Sequence, residues 1–77
     1  MMQDKIIMNR AKVKSSNIAA IGYDGDLKTL EVEFNDGAVY QYAGVPKKLH
    51  LKLMKAKSSG KVLHAEIRGK FASERLE

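Results

Sequence analysis

Cysteine is absent from this 77-residue chain, so neither a disulfide framework nor a thiolate metal site can stabilise it. Tryptophan is absent as well, and three tyrosines and two phenylalanines are the only aromatic rings besides two histidines. Few large side chains are therefore available to a core whose size lies near the lower limit of independent stability, which fits one domain and makes self-association advantageous. Long hydrophobic runs are also missing. The longest apolar stretches are a few residues, against the roughly 20 needed to cross a bilayer, and no apolar signal-peptide core follows the start. The pattern reads as a soluble, cytoplasmic protein with no membrane partner.

Acidic residues are the minority, with 14 Lys and Arg against 9 Asp and Glu for a formal net charge of +5. Such an excess favours polyanionic partners and equally serves solubility. Its distribution is more informative than its total. Asp24, Asp26, Glu31, Glu33 and Asp36 fall in the first half, with only Lys28 among them. Beyond Pro46 the balance reverses, and Lys47, Lys48, Lys52, Lys55, Lys57, Lys61, Arg68 and Lys70 face Glu66 alone before the tail.

The central stretch, Leu30 to Pro46, reads as a hairpin leading into a helix. Leu30, Val32 and Phe34 alternate with Glu31 and Glu33, the period of a strand with one buried and one wet face. Ile18 to Tyr23 has the apolar content of a preceding strand, with Ser15-Ser16-Asn17 supplying turn or capping hydrogen bonds before it and Asp24-Gly25-Asp26 turning after it. A loop of about four residues there places Ile21 opposite Leu30. Two registers compete at the next turn. A two-residue Asp36-Gly37 loop leaves Tyr40 and Tyr42 on the side of Glu33, available for stacking. A three-residue Asn35-Asp36-Gly37 loop, with Gly37 left-handed, pairs Val32 with Tyr40 and Leu30 with Tyr42 and sends both rings into the core. The second is favoured, because so small a core needs their area and each hydroxyl can still reach its rim.

After Pro46, which suits the first helical position, the spacing becomes helical. Leu49, Leu53 and Ala56 form the buried stripe of a helix from about Pro46 to Lys57, while Lys48, Lys52 and Lys55 repeat along another side. Gly60 fits a left-handed cap, and Lys61 to Arg68 reads as a short second helix with Leu63, Ile67 and Phe71 at intervals of four. The expected fold is α+β: a three-stranded antiparallel meander covered on one face by the helix and the short second helix. Residues 1–12 are an extension of uncertain order, a frayed tail or an extra edge strand with the tail preferred, 13–71 the domain, and 72–77 a fraying C-terminal tail.

Catalytic and metal chemistry find little support. His50 and His64 have no partner ligand at helical spacing. Ser58-Ser59-Gly60-Lys61 lacks the first glycine and the final Ser or Thr of a phosphate loop. No nucleophile elbow surrounds a serine, and the aspartates read as turn formers. The expectation is no enzyme, no metal and no cofactor.

The runs VKSSNIAAIGYD from Val13, LEVEFNDGAVYQYAGVP from Leu30, then AKSSGK and IRGKF, resemble the KTSC domain family, named for the C-terminal domain of some lysyl-tRNA synthetases. The family also has many stand-alone bacterial and phage-associated members. Its hallmark Tyr-x-Tyr followed by Val-Pro corresponds to Tyr40, Tyr42, Val45 and Pro46, a motif better explained by structure than by chemistry. Where the family usually has an aromatic residue in mid-helix this chain has His50, and Val62-Leu63-His64 replaces an aromatic-containing run. The resemblance implies a compact domain of unestablished function, with RNA binding suggested by its attachment to a tRNA-charging enzyme.

Two functional classes follow. One is a binding module for RNA or another polyanion, using Lys48, Lys52, Lys55, Lys61, Arg68 and Lys70 on phosphates. The other is a protein-interaction or self-associating module that uses the exposed sheet face or edge. Because nothing in the pattern of the first residues demands a place in the core, deleting Met1 to Ile7 should leave the melting temperature nearly unchanged. A large drop in a calorimetric scan would show that Ile6 and Ile7 are docked.

Overall fold

A computed structural model describes residues 10–13 and 15–76. They form β1 (Ala11–Lys12), β2 (Ile18–Asp24), β3 (Thr29–Phe34), β4 (Val39–Ala43), α1 (Lys47–Lys55), α2 (Ser59–Val62), a π-helical turn over Leu63–Ile67, and β5 (Ser73–Arg75). The architecture is α+β, with an antiparallel sheet of five strands in the order β1-β2-β3-β4-β5. Two strands are thus added to the expected meander, one at each edge. Lys12 pairs with Ala20, and Gln41 pairs with Glu74, so part of the stretch read as a fraying tail is sheet. Residues 1–9, which carry most of the N-terminal extension, lie outside the described residues.

The β3–β4 hairpin has the three-residue turn. Gly37 donates its N–H to the Phe34 carbonyl at 2.9 Å and adopts φ of +95°, open to glycine without the Cβ clash other residues meet. Asp36 Oδ1 accepts from the Ala38 N–H at 3.0 Å, the turn role read for it. Leu30 therefore faces Tyr42 and Val32 faces Tyr40. Asp24 Oδ1 accepts from the N–H groups of Asp26 and Leu27 in the preceding turn. That loop starts one residue later than expected, so Ile21 lies opposite Val32 and it is Tyr23 that meets Leu30. The shift is accommodated by Lys28, a non-glycine residue at φ of +52°, whose carbonyl accepts from the Val45 N–H. Parity is kept, and Ile21 and Leu30 still share the inner face.

That face meets the helices. Ile18, Ile21, Leu30, Val32, Tyr42, Val45, Leu53, Leu63 and Ile67 form the buried cluster, with Tyr23, Phe34, Tyr40 and Leu49 partly buried against it. A bulge near Ala19 lets Ile18 join Ile21 on this side although three positions apart. Pro46 stands just outside α1 as its cap residue, at ψ of 152°, instead of at the first helical position. The helix ends at Lys55, two residues before the expected limit, and Gly60 sits inside α2. Ser58 caps that second helix through its side chain on the Lys61 N–H, and Ser59, buried, donates to the Leu53 carbonyl. The second helical segment therefore begins before Lys61.

On the outer face, Glu31 is buried and accepts from Gln41 Nε2 at 2.8 Å, while Arg10 places Nη1 3.1 Å from its other oxygen and Nε 3.9 Å from Glu33. Paired and hydrogen-bonded in this way, the carboxylate avoids the cost of an isolated buried charge. No described helix crosses a membrane; none is long or apolar enough.

Tyr42 is 3% exposed and central to the cluster, whereas Tyr40 keeps part of its ring in solvent. Truncating Tyr42 to Ala should cost about 3–5 kcal/mol, much of the stability of so small a domain, and Tyr40 to Ala distinctly less. Urea unfolding of the two variants checks the order; equal losses would contradict the difference in burial.

Candidate functional site

The sheet's inner face is not wholly roofed. Beyond the reach of α1, at the β4–β5 edge, strand alternation puts Tyr40 and Tyr42 beside Arg75 and Ser73, their respective partners across the ladder. Arg68 and Gly69 approach from the end of the π-helical turn, and Ser16, Asn17, Asn35 and Asp36 close the far end, leaving a groove of about 910 Å³. A second hollow of about 410 Å³ adjoins it, lined by Lys61, His64 and Ser58 among others. Arg68, Asn17, Ser16 and Phe34 line both, so Arg68 stands where the two meet.

Each wall is held by local chemistry. Ser15 Oγ accepts from the N–H groups of Asn17 and Ile18, and Asn35 Nδ2 donates to the carbonyls of Ser15 and Ser16, fastening that loop to the hairpin turn. The π-helical turn closes when the Arg68 N–H donates to the Leu63 carbonyl at 2.8 Å. The chain then reverses at Gly69, whose φ of +83° favours glycine, and β5 follows. On the floor, Tyr40 meets Phe34 edge-to-face at 5.7 Å and lies near-parallel to Tyr42 at 6.5 Å. The Arg75 guanidinium carbon is 5.8 Å from the Tyr40 ring centre. Burial pushes the Tyr42 phenol above its ordinary range, an effect the positive charge of Arg68 opposes.

The basic residues singled out from the sequence divide. Lys61 and Arg68 line the hollows; Lys48, Lys52, Lys55 and Lys70 line neither, although all four are exposed. Lys52 is ion-paired to Glu66, which interrupts the row on α1. Of the motif residues, Tyr40 and Tyr42 form the groove floor. Val45 is buried; its N–H donates to Lys28, and its carbonyl accepts from the Tyr23 hydroxyl at 2.6 Å, so with Pro46 it fixes the passage from sheet to helix. Sequence reasoning missed Arg75, Ser73 and Asn17. Only the β4–β5 register brings Arg75 to Tyr40, and a three-residue strand carries too little alternation to announce it. Among the described residues, no cluster of three or more His, Cys, Asp or Glu side chains is arranged to hold a metal.

Comparison with known proteins bears on this architecture. The KTSC domain profile matches residues 14–71, and the chain belongs to the KTSC domain family. The crystal structure of a KTSC domain protein from Yersinia pestis superposes with a TM-score of 0.85 at 42% identity, covering 92% of this chain and all of that one. An uncharacterized protein of Stutzerimonas stutzeri is 41% identical over 54 residues, 70% of this chain and 76% of that protein. A lysine–tRNA ligase of Trichormus variabilis is 36% identical over 75 residues, or 97% of this chain, yet the chain spans only 13% of the ligase.

His50 is a second ring beside the core: it stacks on Tyr23 at 4.6 Å and 11°. Burial and then the neighbouring Lys47 charge hold its imidazole below the ordinary range. A lowered native pKa means that the unfolded chain takes up the proton first, so this contribution is complete above about pH 6.5 and is lost as pH falls through the native value. The stability advantage of wild type over His50→Gln should therefore shrink between pH 7.5 and 5 in parallel urea titrations. A pH-independent difference would sink the assignment.

Proposed function

We propose that this domain is a non-catalytic binding module for single-stranded RNA, seated in the groove around Arg68. The observation that carries the reading is the convergence of Arg68, Arg75 and Lys61 with the Tyr40 and Tyr42 rings in two adjoining hollows. Cations can neutralise phosphates while aromatic faces accept bases of any identity, the combination that sequence-tolerant single-strand sites use. Relatives that are lysine–tRNA ligases place similar domains in proteins that handle RNA, which supports the choice of polyanion.

Lys48 and Lys55 have a different part. Exposed on α1 outside the groove, they raise the positive potential and with it the encounter rate, with Lys70 adding to the same field. Lys52 contributes less because Glu66 offsets its charge. The protein-interaction reading becomes the leading one if RNA fails to bind.

Affinity for a short unstructured RNA should fall with salt, by a logarithmic slope of roughly −0.7 per phosphate contact. Arg68→Gln should weaken binding to all sequences alike and reduce the slope by about one contact, or 0.7. Lys48→Glu with Lys55→Glu should lower the association rate and leave dissociation nearly unchanged. Fluorescence anisotropy and stopped-flow mixing check both. Absence of binding at low salt, where electrostatic attraction is strongest, would overturn the proposal.

A further inference from the structure

Tyr40 occupies a peculiar position in this groove: braced as firmly as a core residue, yet with part of its ring uncovered. Phe34 meets it in a T-shaped contact at 5.7 Å and 87°, Tyr42 lies alongside at 6.5 Å and 23°, and Val32 is its partner in the neighbouring strand. Across the ladder on its other side Tyr40 pairs with Arg75 and Tyr42 with the small Ser73, and all four residues line the groove.

The Arg75 guanidinium stands 5.8 Å from the Tyr40 centroid, near the ~6 Å outer limit for attraction between a cation and a ring face. Atoms in contact would be at about 3.5–4 Å. A flat group stacked between two others needs about 7 Å in all, two repeats of the roughly 3.4 Å base spacing. The gap is therefore wider than a closed pair needs and about 1 Å short of one that holds a base. Arg75 reaches the ring from a three-residue edge strand whose residues are all exposed, so widening the gap displaces no buried residue.

We infer that Tyr40 is the stacking seat for one unpaired nucleobase, with the Arg75 guanidinium closing over the base's other face. The inference rests on the reading of the groove as a single-strand RNA site and adds to it the part of the ligand that is recognised there. Unstacked RNA bases are held in this way between aromatic rings and guanidinium planes. Tyr40 needs no rearrangement to serve, since its neighbours already fix its orientation. Arg68, at the junction of the two hollows, then takes the adjoining phosphate.

The test compares a five-nucleotide RNA with the same oligomer lacking its central base, both measured by anisotropy on the full chain. Wild type should bind the intact oligomer about 5- to 150-fold more tightly. Tyr40→Phe should keep that ratio, Tyr40→Leu should bring it close to one, and Arg75→Gln should reduce it in part. Should Tyr40→Leu fail to fold, the Tyr40 ring protons of the wild-type chain give an independent readout. They should move upfield on adding the intact oligomer and stay in place with the abasic one. Equal binding of both oligomers by wild type would overturn the stacking seat while leaving the groove a phosphate site. Binding of neither would overturn the RNA reading itself.

Discussion

The pairing of Val32 with Tyr40 is the constraint on which the rest of this small structure depends. It follows from a turn of three residues, Asn35, Asp36 and Gly37, between Phe34 and Ala38. Side chains in a strand alternate with period two, so a turn shorter by one would have sent both tyrosines to the face of Glu31 and Glu33. The inner face would then have lost its largest rings, and Glu31 its place between Gln41 and Arg10. One positive-φ glycine thus decides how the core is filled, where the polar cluster sits and which residues floor the groove.

Much of this was legible in the sequence because its signals were local. The alternation from Leu30 to Phe34, the Asn-Asp-Gly turn and the stripe of Leu49 and Leu53 each specify their own geometry within a few residues. The parts that escaped were set by partners distant in the chain. Ala11–Lys12 and Ser73–Arg75 are too short to show a period, and they exist as strands only because β2 and β4 present unpaired edges to them. The β2–β3 register slipped by two because Lys28 adopts a conformation usually signalled by glycine. Gly60 looked like a helix end, yet Ser58 caps a new helix there and Ser59 ties it to the last turn of α1. For the candidate site, Arg68 and Lys61 were identifiable by charge and the tyrosines by motif. Their meeting with Arg75 is a product of tertiary structure.

The same fold separates the two signs of charge. Glu31 and Glu33 occupy the outer sheet face, where Arg10 bridges them. Arg68, Arg75 and Lys61 gather on the opposite side around aromatic surface. On α1, a row that reads as continuously basic is broken by the Lys52–Glu66 pair, which also connects the two helical segments. An exposed pair of this kind contributes at most about 1 kcal/mol, so its main effect is on the local field. Counting lysines along a helix therefore overstates the potential there and understates it at the groove, where fewer cations converge.

Because the sheet follows sequence order, its first and last strands are opposite edges. Neighbouring strands are about 4.8 Å apart, which puts the point where the chain enters β1 roughly 14–19 Å across the sheet from β4 and β5. Polypeptide continuing from β5 would start at the groove's own border, next to Arg75, whereas β1 lies on the other side of the sheet. The described chain therefore enters and leaves the sheet at opposite edges, with its exit beside Tyr40 and Arg75.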